Sequence, residues 1–175
     1  MKTELPVRKR NRMEDFDYST EGAYFITICT EKRAKTLSHI EMSASCMPHD
    51  TNTVLLTKNG VTVKHWIEQI AIAYPSVVVD CFVIMPNHIH LILLLHEDKS
   101  NQTMPSIGSV IAWLKYHVTK EINQSQKTLG NRFFQRSFHD HIIRNKNDYS
   151  EIKKYIQENP RNWVNDSLFV ADSTY

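Results

Sequence analysis

The amino-acid sequence predicts an α+β protein in which helices cover an antiparallel sheet. Apolar runs of strand length alternate along the chain with segments whose apolar residues recur at helical spacing. Two of the predicted strands are joined directly by a Pro-Asn turn, which favours antiparallel pairing. The predicted order is strand, helix, strand, strand, helix, short strand and helix, with no internal repeat.

The composition is that of an ordinary soluble protein. The chain has 175 residues, of which 41% are hydrophobic and 23% charged, so we expect one domain over residues 1–175. No stretch approaches the ~20 apolar residues of a membrane span, and the basic N-terminus lacks the apolar region of a secretory signal. Three cysteines without a CxxC pair indicate reduced thiols and therefore a cytoplasmic protein.

The N-terminal third contains one clear strand. Residues 1–21 form a polar arm with four basic side chains, Arg8, Lys9, Arg10 and Arg12. Residues 23–30 are β-branched and aromatic, which predicts a strand. Residues 31–59 lose any period and are interrupted by serine and proline, so a loop or insertion is expected there.

The middle of the chain predicts a helix followed by a strand pair. Residues 61–74 have apolar side chains at helical spacing and are followed by a proline. Residues 76–85 and 88–95 are strands, and Pro86-Asn87 between them is a turn. The C-terminal third predicts a helix over 105–123 with a clean apolar stripe, followed by an extended segment.

The last predicted helix spans Asp148 to Asn159. Glu151 lies three residues after Asp148, the spacing of a capping box, and a proline ends the helix. The segment after Trp163 has no pattern that predicts a structure.

His88 and His90 carry the sharpest chemical signal. Residues two apart in a strand point to the same face, so both imidazoles project together while Ile89 points the other way. Paired imidazoles suit a divalent metal and leave coordination positions open. In most proteins such a pair is simply hydrogen-bonded and holds no metal. Here the pair directly follows a tight turn, and this position favours a metal site.

Tyr155 and Asn159 lie one turn apart on the last helix, hence on the same face. A phenol and an amide oxygen placed together can address a metal ion and a phosphate. The pattern alone also fits ordinary packing, because Tyr149, Ile152 and Ile156 complete a helical stripe with Tyr155.

Taken in order, several segments resemble the single-tyrosine transposases with a His-hydrophobic-His motif, and in particular the REP-associated tyrosine transposases. The segments are Gly22–Thr27, Met85–Leu93, Trp113–Lys120, Phe134–Arg144 and Tyr155–Pro160. The resemblance extends from about residue 8 to 163, but residues 36–60 match nothing in the family. Phe138 departs from the family, since some relatives have a tyrosine there.

This resemblance implies a fold, a reaction and a set of site residues. The family has a ferredoxin-like sheet and cuts single-stranded DNA beside hairpins, leaving a 5′-phosphotyrosine and a free 3′-hydroxyl. His88 and His90 match its metal ligands, Tyr155 its nucleophile, and Asn159 the position of a third ligand. The implied cofactor is Mg²⁺ or Mn²⁺. The implied partner is hairpin DNA of the REP type, bound by a monomer or a homodimer.

Basic and aromatic residues supply candidates for the DNA contacts. Tyr116 and Phe138 are candidates for stacking on unpaired bases, whereas core packing is the preferred interpretation of Trp113. The candidate DNA-binding residues are Arg8, Lys9, Arg10, Arg12, Lys115, Lys120, Arg144, Lys153 and Lys154.

Two alternatives stay open on the sequence. One is a non-catalytic DNA-binding protein of the same fold, and the other is a structural metal site that includes some of His96, His139 and His141. A nucleotide hydrolase with alternating histidines is disfavoured, because the next alternate position holds Ile92.

Overall fold

The computed structural model describes residues 19–41, 52–96 and 104–171. Short 3₁₀ turns at Glu31–Arg33 and Trp163–Asn165 supplement the regular elements. In chain order these elements are β1 (Gly22–Cys29), β2 (Ser38–Glu41), β3 (Thr53–Leu56), α1 (Lys58–Glu68), α2 (Ile70–Ala73), β4 (Val77–Ile84), β5 (His88–Leu95), α3 (Ile107–Gln126), β6 (His139–Ile143) and α4 (Lys146–Glu158).

The main sheet has four strands in the order β4-β5-β1-β6, and every neighbouring pair is antiparallel. Apart from the small β2–β3 sheet and the short α2, the chain runs strand, helix, strand, strand, helix, strand, and α4 follows. This succession with this strand order is the ferredoxin-like arrangement. The predicted α+β fold, an antiparallel sheet covered by helices, is confirmed.

One face of the sheet is mainly apolar, with the partly buried Asp140 of β6 opposite Ile26 as a polar member, and the other face carries polar side chains. On the apolar face, alternate residues of β1 and β5, such as Ile26 and Leu91, pack against α1 and α3. The apolar stripe of α3 is buried there as predicted, and Ser106 caps the helix by accepting a hydrogen bond from the Ser109 N–H. Because side chains alternate along a strand, the intervening residues face the opposite side, which α4 covers.

The stretch expected to be a loop or insertion contains ordered structure. Within it, β2 and β3 pair as a separate two-stranded sheet, which β-propensity failed to reveal because each strand has only four residues. Directly afterwards Thr57 caps α1, so the helix begins at Lys58 and not at residue 61. Gly60 is required there, since an added Cβ would lie 2.1 Å from the Leu37 carbonyl oxygen.

Two predicted helices have different bounds in the structure. The helix predicted over residues 61–74 is divided at Gln69 into α1 and α2. The predicted capping box of α4 was wrong: Asn145 is the N-cap, and its side chain accepts a hydrogen bond from the N–H of Asp148. An Asn three residues upstream supplies the same capping chemistry, so α4 begins earlier than Asp148.

A bulge in β4 connects the sheet to α4. The register with β5 shifts between Val79 and Cys81, which leaves Asp80 as the extra residue. The Asp80 carboxylate accepts a hydrogen bond from the Tyr149 hydroxyl at 2.8 Å and pairs with the Lys153 ammonium at 3.1 Å. The bulge therefore gives α4 a polar attachment to the sheet.

Among the described helices, none has both the length and the apolar character needed to cross a bilayer. Cys29 and Cys81 are free thiols, as predicted, and Cys46 lies outside the described residues.

Candidate active site

His88 and His90 open β5 on the face that α4 covers. Both side chains are buried, and their ring centroids are 4.4 Å apart. Ile89 between them packs into the opposite, apolar face, as the strand alternation predicts. The paired imidazoles lie on a strand whose backbone is hydrogen-bonded to β1 on one side and to β4 on the other.

The Nδ1 atom of each imidazole is held by a neighbouring polar side chain. Asn87 Oδ1 lies 2.8 Å from His88 Nδ1, and Thr27 Oγ1 lies 2.8 Å from His90 Nδ1. The Asn87 amide nitrogen donates elsewhere, to the carbonyl of Leu168. Asn87 Oδ1 must therefore accept from His88 Nδ1–H, which leaves the Nε2 lone pair of His88 available.

Helix α4 brings Tyr155 and Asn159 to these rings. The Tyr155 hydroxyl lies 3.3 Å from His90 Nε2, and the phenol ring contacts Phe25 edge-on at 6.1 Å between centroids. Tyr155 is 43% exposed, whereas Asn159 is 1% exposed. The structure thus brings together all four residues that the sequence singled out for a metal and a nucleophile.

Asp166 is a fifth member of this cluster, and the sequence analysis missed it. Its Oδ2 accepts hydrogen bonds from Asn159 Nδ2 at 2.7 Å and from the Tyr155 hydroxyl at 3.2 Å. Its Oδ1 accepts from the backbone N–H of Leu168. Asp166 follows a 3₁₀ turn in a segment without periodicity, so no sequence pattern predicts that it lies at the site.

The polar atoms of the cluster fit a divalent cation. His88 Nε2 and Asn159 Oδ1 are buried acceptor atoms without a hydrogen-bond partner among the described residues. One ligand atom each from His88, His90 and Asp166 lies within 4.8 Å of the others. Imidazole nitrogens with amide and carboxylate oxygens form a donor set that Mg²⁺ or Mn²⁺ accepts, and a cation would satisfy both orphaned acceptors.

The surroundings keep the histidines neutral and the tyrosine protonated. Burial lowers the pKa of His88 to about 4, against the opposing charge of Asp166. Burial, followed by the neighbouring His88, lowers the pKa of His90 to about 3. Burial and then the Asp166 carboxylate raise the pKa of Tyr155 to about 12. Neutral imidazoles are the form that binds a metal, while the phenol needs help to lose its proton.

The candidate DNA-binding residues are scattered over several surfaces. The basic arm, Arg8, Lys9, Arg10 and Arg12, lies outside the described residues. Lys154 on α4 is exposed near the site, whereas Lys153 is engaged with Asp80 and Tyr149. Arg144 is exposed at the end of β6. Lys115 and Lys120 project from α3, on the other side of the sheet.

Trp113 belongs to an aromatic cluster that packs against the core. Its ring contacts Trp66, Tyr74 and His117, with centroid separations of 5.6, 5.8 and 4.6 Å respectively. The preferred interpretation of Trp113 as a packing residue agrees with this position.

A ferredoxin-like sheet with a paired-histidine strand faces a helix that carries a tyrosine. The family model described as "Transposase IS200 like" matches residues 20–159. The chain therefore belongs to the IS200-like transposase family.

Two proteins of Haemophilus influenzae are similar in sequence. One, described as an uncharacterized protein, is 31% identical, with 93% of each chain covered. The other is described as a putative REP-associated tyrosine transposase and is 27% identical, covering 82% of this chain and 73% of its own. Within the family, this chain resembles the REP-associated tyrosine transposases.

A solved structure shares the fold. It is described as a REP-associated tyrosine transposase bound to a REP hairpin. The match has a TM-score of 0.54 and 20% sequence identity, and it covers 87% of this chain and 74% of the other.

Proposed function

We propose that this chain cuts and rejoins single-stranded DNA beside hairpins through a covalent 5′-phosphotyrosine at Tyr155. The observation that carries the proposal is the approach of the Tyr155 hydroxyl, at 3.3 Å, to an imidazole of the buried histidine pair. A nucleophile beside a candidate cation site has the geometry that phosphoryl transfer needs.

His88, His90 and Asn159 would hold the metal, with Asp166 as an additional carboxylate ligand. A bound Mg²⁺ or Mn²⁺ would polarise the scissile phosphate and offset the charge that develops on its oxygens. The hydrogen bond from His88 Nδ1–H to Asn87 and the one between His90 Nδ1 and Thr27 fix the ring orientations, so the two Nε2 atoms are placed before any ligand binds.

The proposed reaction forms one bond at phosphorus and breaks another. The phenolic oxygen of Tyr155 forms a bond to the phosphorus, and the bond from phosphorus to the 3′-oxygen breaks. The phenolic proton passes to solvent water, which reaches the 43% exposed Tyr155, while the Asp166 carboxylate orients the hydroxyl by accepting its hydrogen bond. The departing 3′-oxygen takes up a proton from solvent water and becomes the free hydroxyl, so the protons lost and gained are equal. Attack of a 3′-hydroxyl on the phosphotyrosine reverses these steps and joins strands.

Hairpin DNA is the proposed substrate. A structural relative is described as bound to a REP hairpin, and the basic arm of this chain supplies positive charge for a folded duplex. Lys154 lies one residue before the nucleophile and is exposed, so it is placed to contact the backbone of the strand being cut.

The test is covalent capture of a labelled strand that carries a hairpin, with Mg²⁺ or Mn²⁺, read on a denaturing gel. We expect Tyr155→Phe to abolish the covalent product while hairpin binding stays within about twofold, because only the attacking oxygen is removed. Tyr74→Phe is the matched control, since it removes a phenolic hydroxyl on the apolar side of the sheet. Capture that survives Tyr155→Phe would refute the proposal.

A second variant separates catalysis from a purely structural metal site. His88→Ala should reduce capture by at least tenfold and change hairpin affinity much less, since the ligand acts on the reacting phosphate. Equal losses of capture and binding would instead indicate that the histidine pair only maintains the fold.

A further inference from the structure

A groove lies on the side of the sheet opposite the histidine pair. It has a volume of about 580 Å³ and runs between α3 and the segment 132–138 that leads into β6. The segment continues directly into β6, which is an edge strand of the sheet. None of the residues proposed for catalysis lines it.

The charge of the groove has one sign. Its lining includes Lys115, Lys120, Arg132 and Arg136, and no acidic side chain is among the described residues that line it. Lys120, Arg132 and Arg136 are exposed. Three exposed cations around one groove whose described lining holds no carboxylate favour a polyanion.

Lys115 has a different part in this surface. Its ammonium donates hydrogen bonds to the carbonyls of Gln135 and Arg136, and burial lowers its pKa. Lys115 therefore fixes the backbone of the segment that forms one wall. This contact keeps Arg136 and Phe138 beside α3.

The groove also presents flat apolar surfaces. Tyr116 is 59% exposed on its rim, and the Lys120 ammonium lies 5.8 Å from the centre of the Tyr116 ring. Phe133 and Phe138 contribute further rings and pack in part against the core. Rings beside cations are the surface on which single-stranded nucleic acids stack their bases and place their phosphates.

We propose that this groove binds unpaired nucleotides that flank the hairpin of the DNA being cut. Tyr116 would stack on a base, and Arg132 and Arg136 would contact the phosphates. This inference rests on the proposed function and deepens it by assigning a place to the single-stranded part of the substrate. A strand passing over the β6 edge connects this groove to the face that carries Tyr155.

The first test measures hairpin binding by fluorescence anisotropy in the Tyr155→Phe protein, which cannot react. The hairpins carry flanks of zero, two, four or eight unpaired nucleotides. We expect the flank to increase affinity, and Tyr116→Ala to remove about tenfold of that increase. Affinity for the blunt hairpin should stay unchanged. Circular dichroism verifies that each variant is folded.

The second test uses salt. For the flanked hairpin, Arg132→Gln with Arg136→Gln should lower the slope of log affinity against log salt by about 0.7 for each lost phosphate contact. Lys64→Gln is the matched control, because it removes an exposed cation on α1 that does not line the groove. A slope that changes equally in the control would overturn the assignment of these arginines.

Photo-cross-linking locates the flank directly. A flank with one 5-iododeoxyuridine should cross-link to Tyr116 or Phe138, identified by mass spectrometry of the peptides. Cross-links found only outside the groove, or equal losses for blunt and flanked hairpins, would refute the proposal. None of these measurements needs cleavage. If the flank increases affinity but the wild-type protein forms no covalent product, only the proposed function is refuted. If the covalent product forms but the flank does not change affinity, only the groove assignment is refuted.

Discussion

At the scale of single residues, the site is defined by what holds each imidazole. His88 is fixed by an amide that can only accept at that contact, and His90 by the hydroxyl of Thr27 on the neighbouring strand. Both supporting side chains are buried: Asn87 directly precedes His88 in the chain, and Thr27 lies opposite His90 on β1. The placement of both imidazoles on one face was predictable from the His88–His90 spacing, whereas the supporting partners depend on strand register.

Asp166 gives a direct test of the ligand set. We expect Asp166→Asn to weaken Mn²⁺ binding by roughly 10- to 100-fold, because a carboxylate at the cluster is replaced by a neutral amide. Mn²⁺ affinity is measured by electron paramagnetic resonance of the free ion, without DNA. Glu151→Gln removes a carboxylate from the exposed side of α4 and serves as control. Unchanged affinity in Asp166→Asn would exclude Asp166 as a ligand.

The buried histidines should make stability depend on pH. Their pKa values in the folded state, about 4 and about 3, lie below the value of roughly 6.5 in an unfolded chain. The unfolded state therefore binds more protons below pH 6.5, and stability is lost as the pH falls. Between pH 7 and pH 5 each histidine should cost up to about 2 kcal/mol.

Urea unfolding in EDTA at the two pH values measures this loss. His90→Gln cannot gain a proton, so its loss between pH 7 and pH 5 should be smaller by up to about 2 kcal/mol. The same loss in both proteins would show that the charging of His90 does not contribute.

At the scale of elements, α4 is the part whose placement decides function. Tyr149 and Lys153, in the first two turns of α4, are hydrogen-bonded to Asp80 at the bulge. The hydrogen bonds from Tyr149 and Asp80 raise the pKa of Lys153. Its last turn and the residue after it carry Tyr155 and Asn159. The helix itself was predictable from the sequence, but the bulge that orients it was not, because a bulge is a property of strand pairing.

Loosening this attachment should impair catalysis more than binding. Asp80→Asn removes the charge that holds Lys153, so we expect a modest loss of stability, measured as a lower urea midpoint. The rate of covalent capture should fall by tenfold or more, since small displacements of a reacting group are costly. Rates come from single-turnover capture, and hairpin affinity from anisotropy.

Hydrogen exchange distinguishes this positioning role from general destabilisation. In Asp80→Asn the amides of α4 should exchange faster while those of α3 stay protected. Gly22→Ala is a suitable comparison, because an added Cβ there meets only ordinary contacts. Uniformly faster exchange across both helices would contradict the positioning role.

At the scale of the whole molecule, the sheet separates two surfaces. One face buries apolar side chains against α1 and α3, and the other carries the histidine pair under α4. The alternation of residues in β1 and β5 predicts this division, and the order of elements predicts the sheet. The β2–β3 sheet and the contact of the C-terminal segment with the site were not predictable, since both depend on contacts between residues distant in the chain.

Metal binding should stabilise the entire fold. A ligand that binds only the folded state at about 100 times its dissociation constant contributes roughly 2.7 kcal/mol. For a chain of this size we expect Mn²⁺ to raise the melting temperature by roughly 5–10 °C over the value in EDTA. Scanning calorimetry measures the shift.

His88→Asn supplies the control for this shift. The increase should disappear in His88→Asn and persist in Tyr155→Phe, because only the former loses a proposed ligand. An equal increase in all three proteins would indicate that the ion binds elsewhere.

Asn87, the residue after Pro86, makes two side-chain hydrogen bonds, as acceptor in one and as donor in the other. The Asn87 side-chain oxygen accepts a hydrogen bond from His88 Nδ1–H, and its nitrogen donates one to the Leu168 carbonyl. A carboxylate of the same shape could serve the ring but would set a second acceptor against that carbonyl. A primary amide therefore joins the C-terminal segment to the first histidine of the pair and fixes the tautomer of its ring, although Asn87 and Leu168 lie 81 positions apart in the chain.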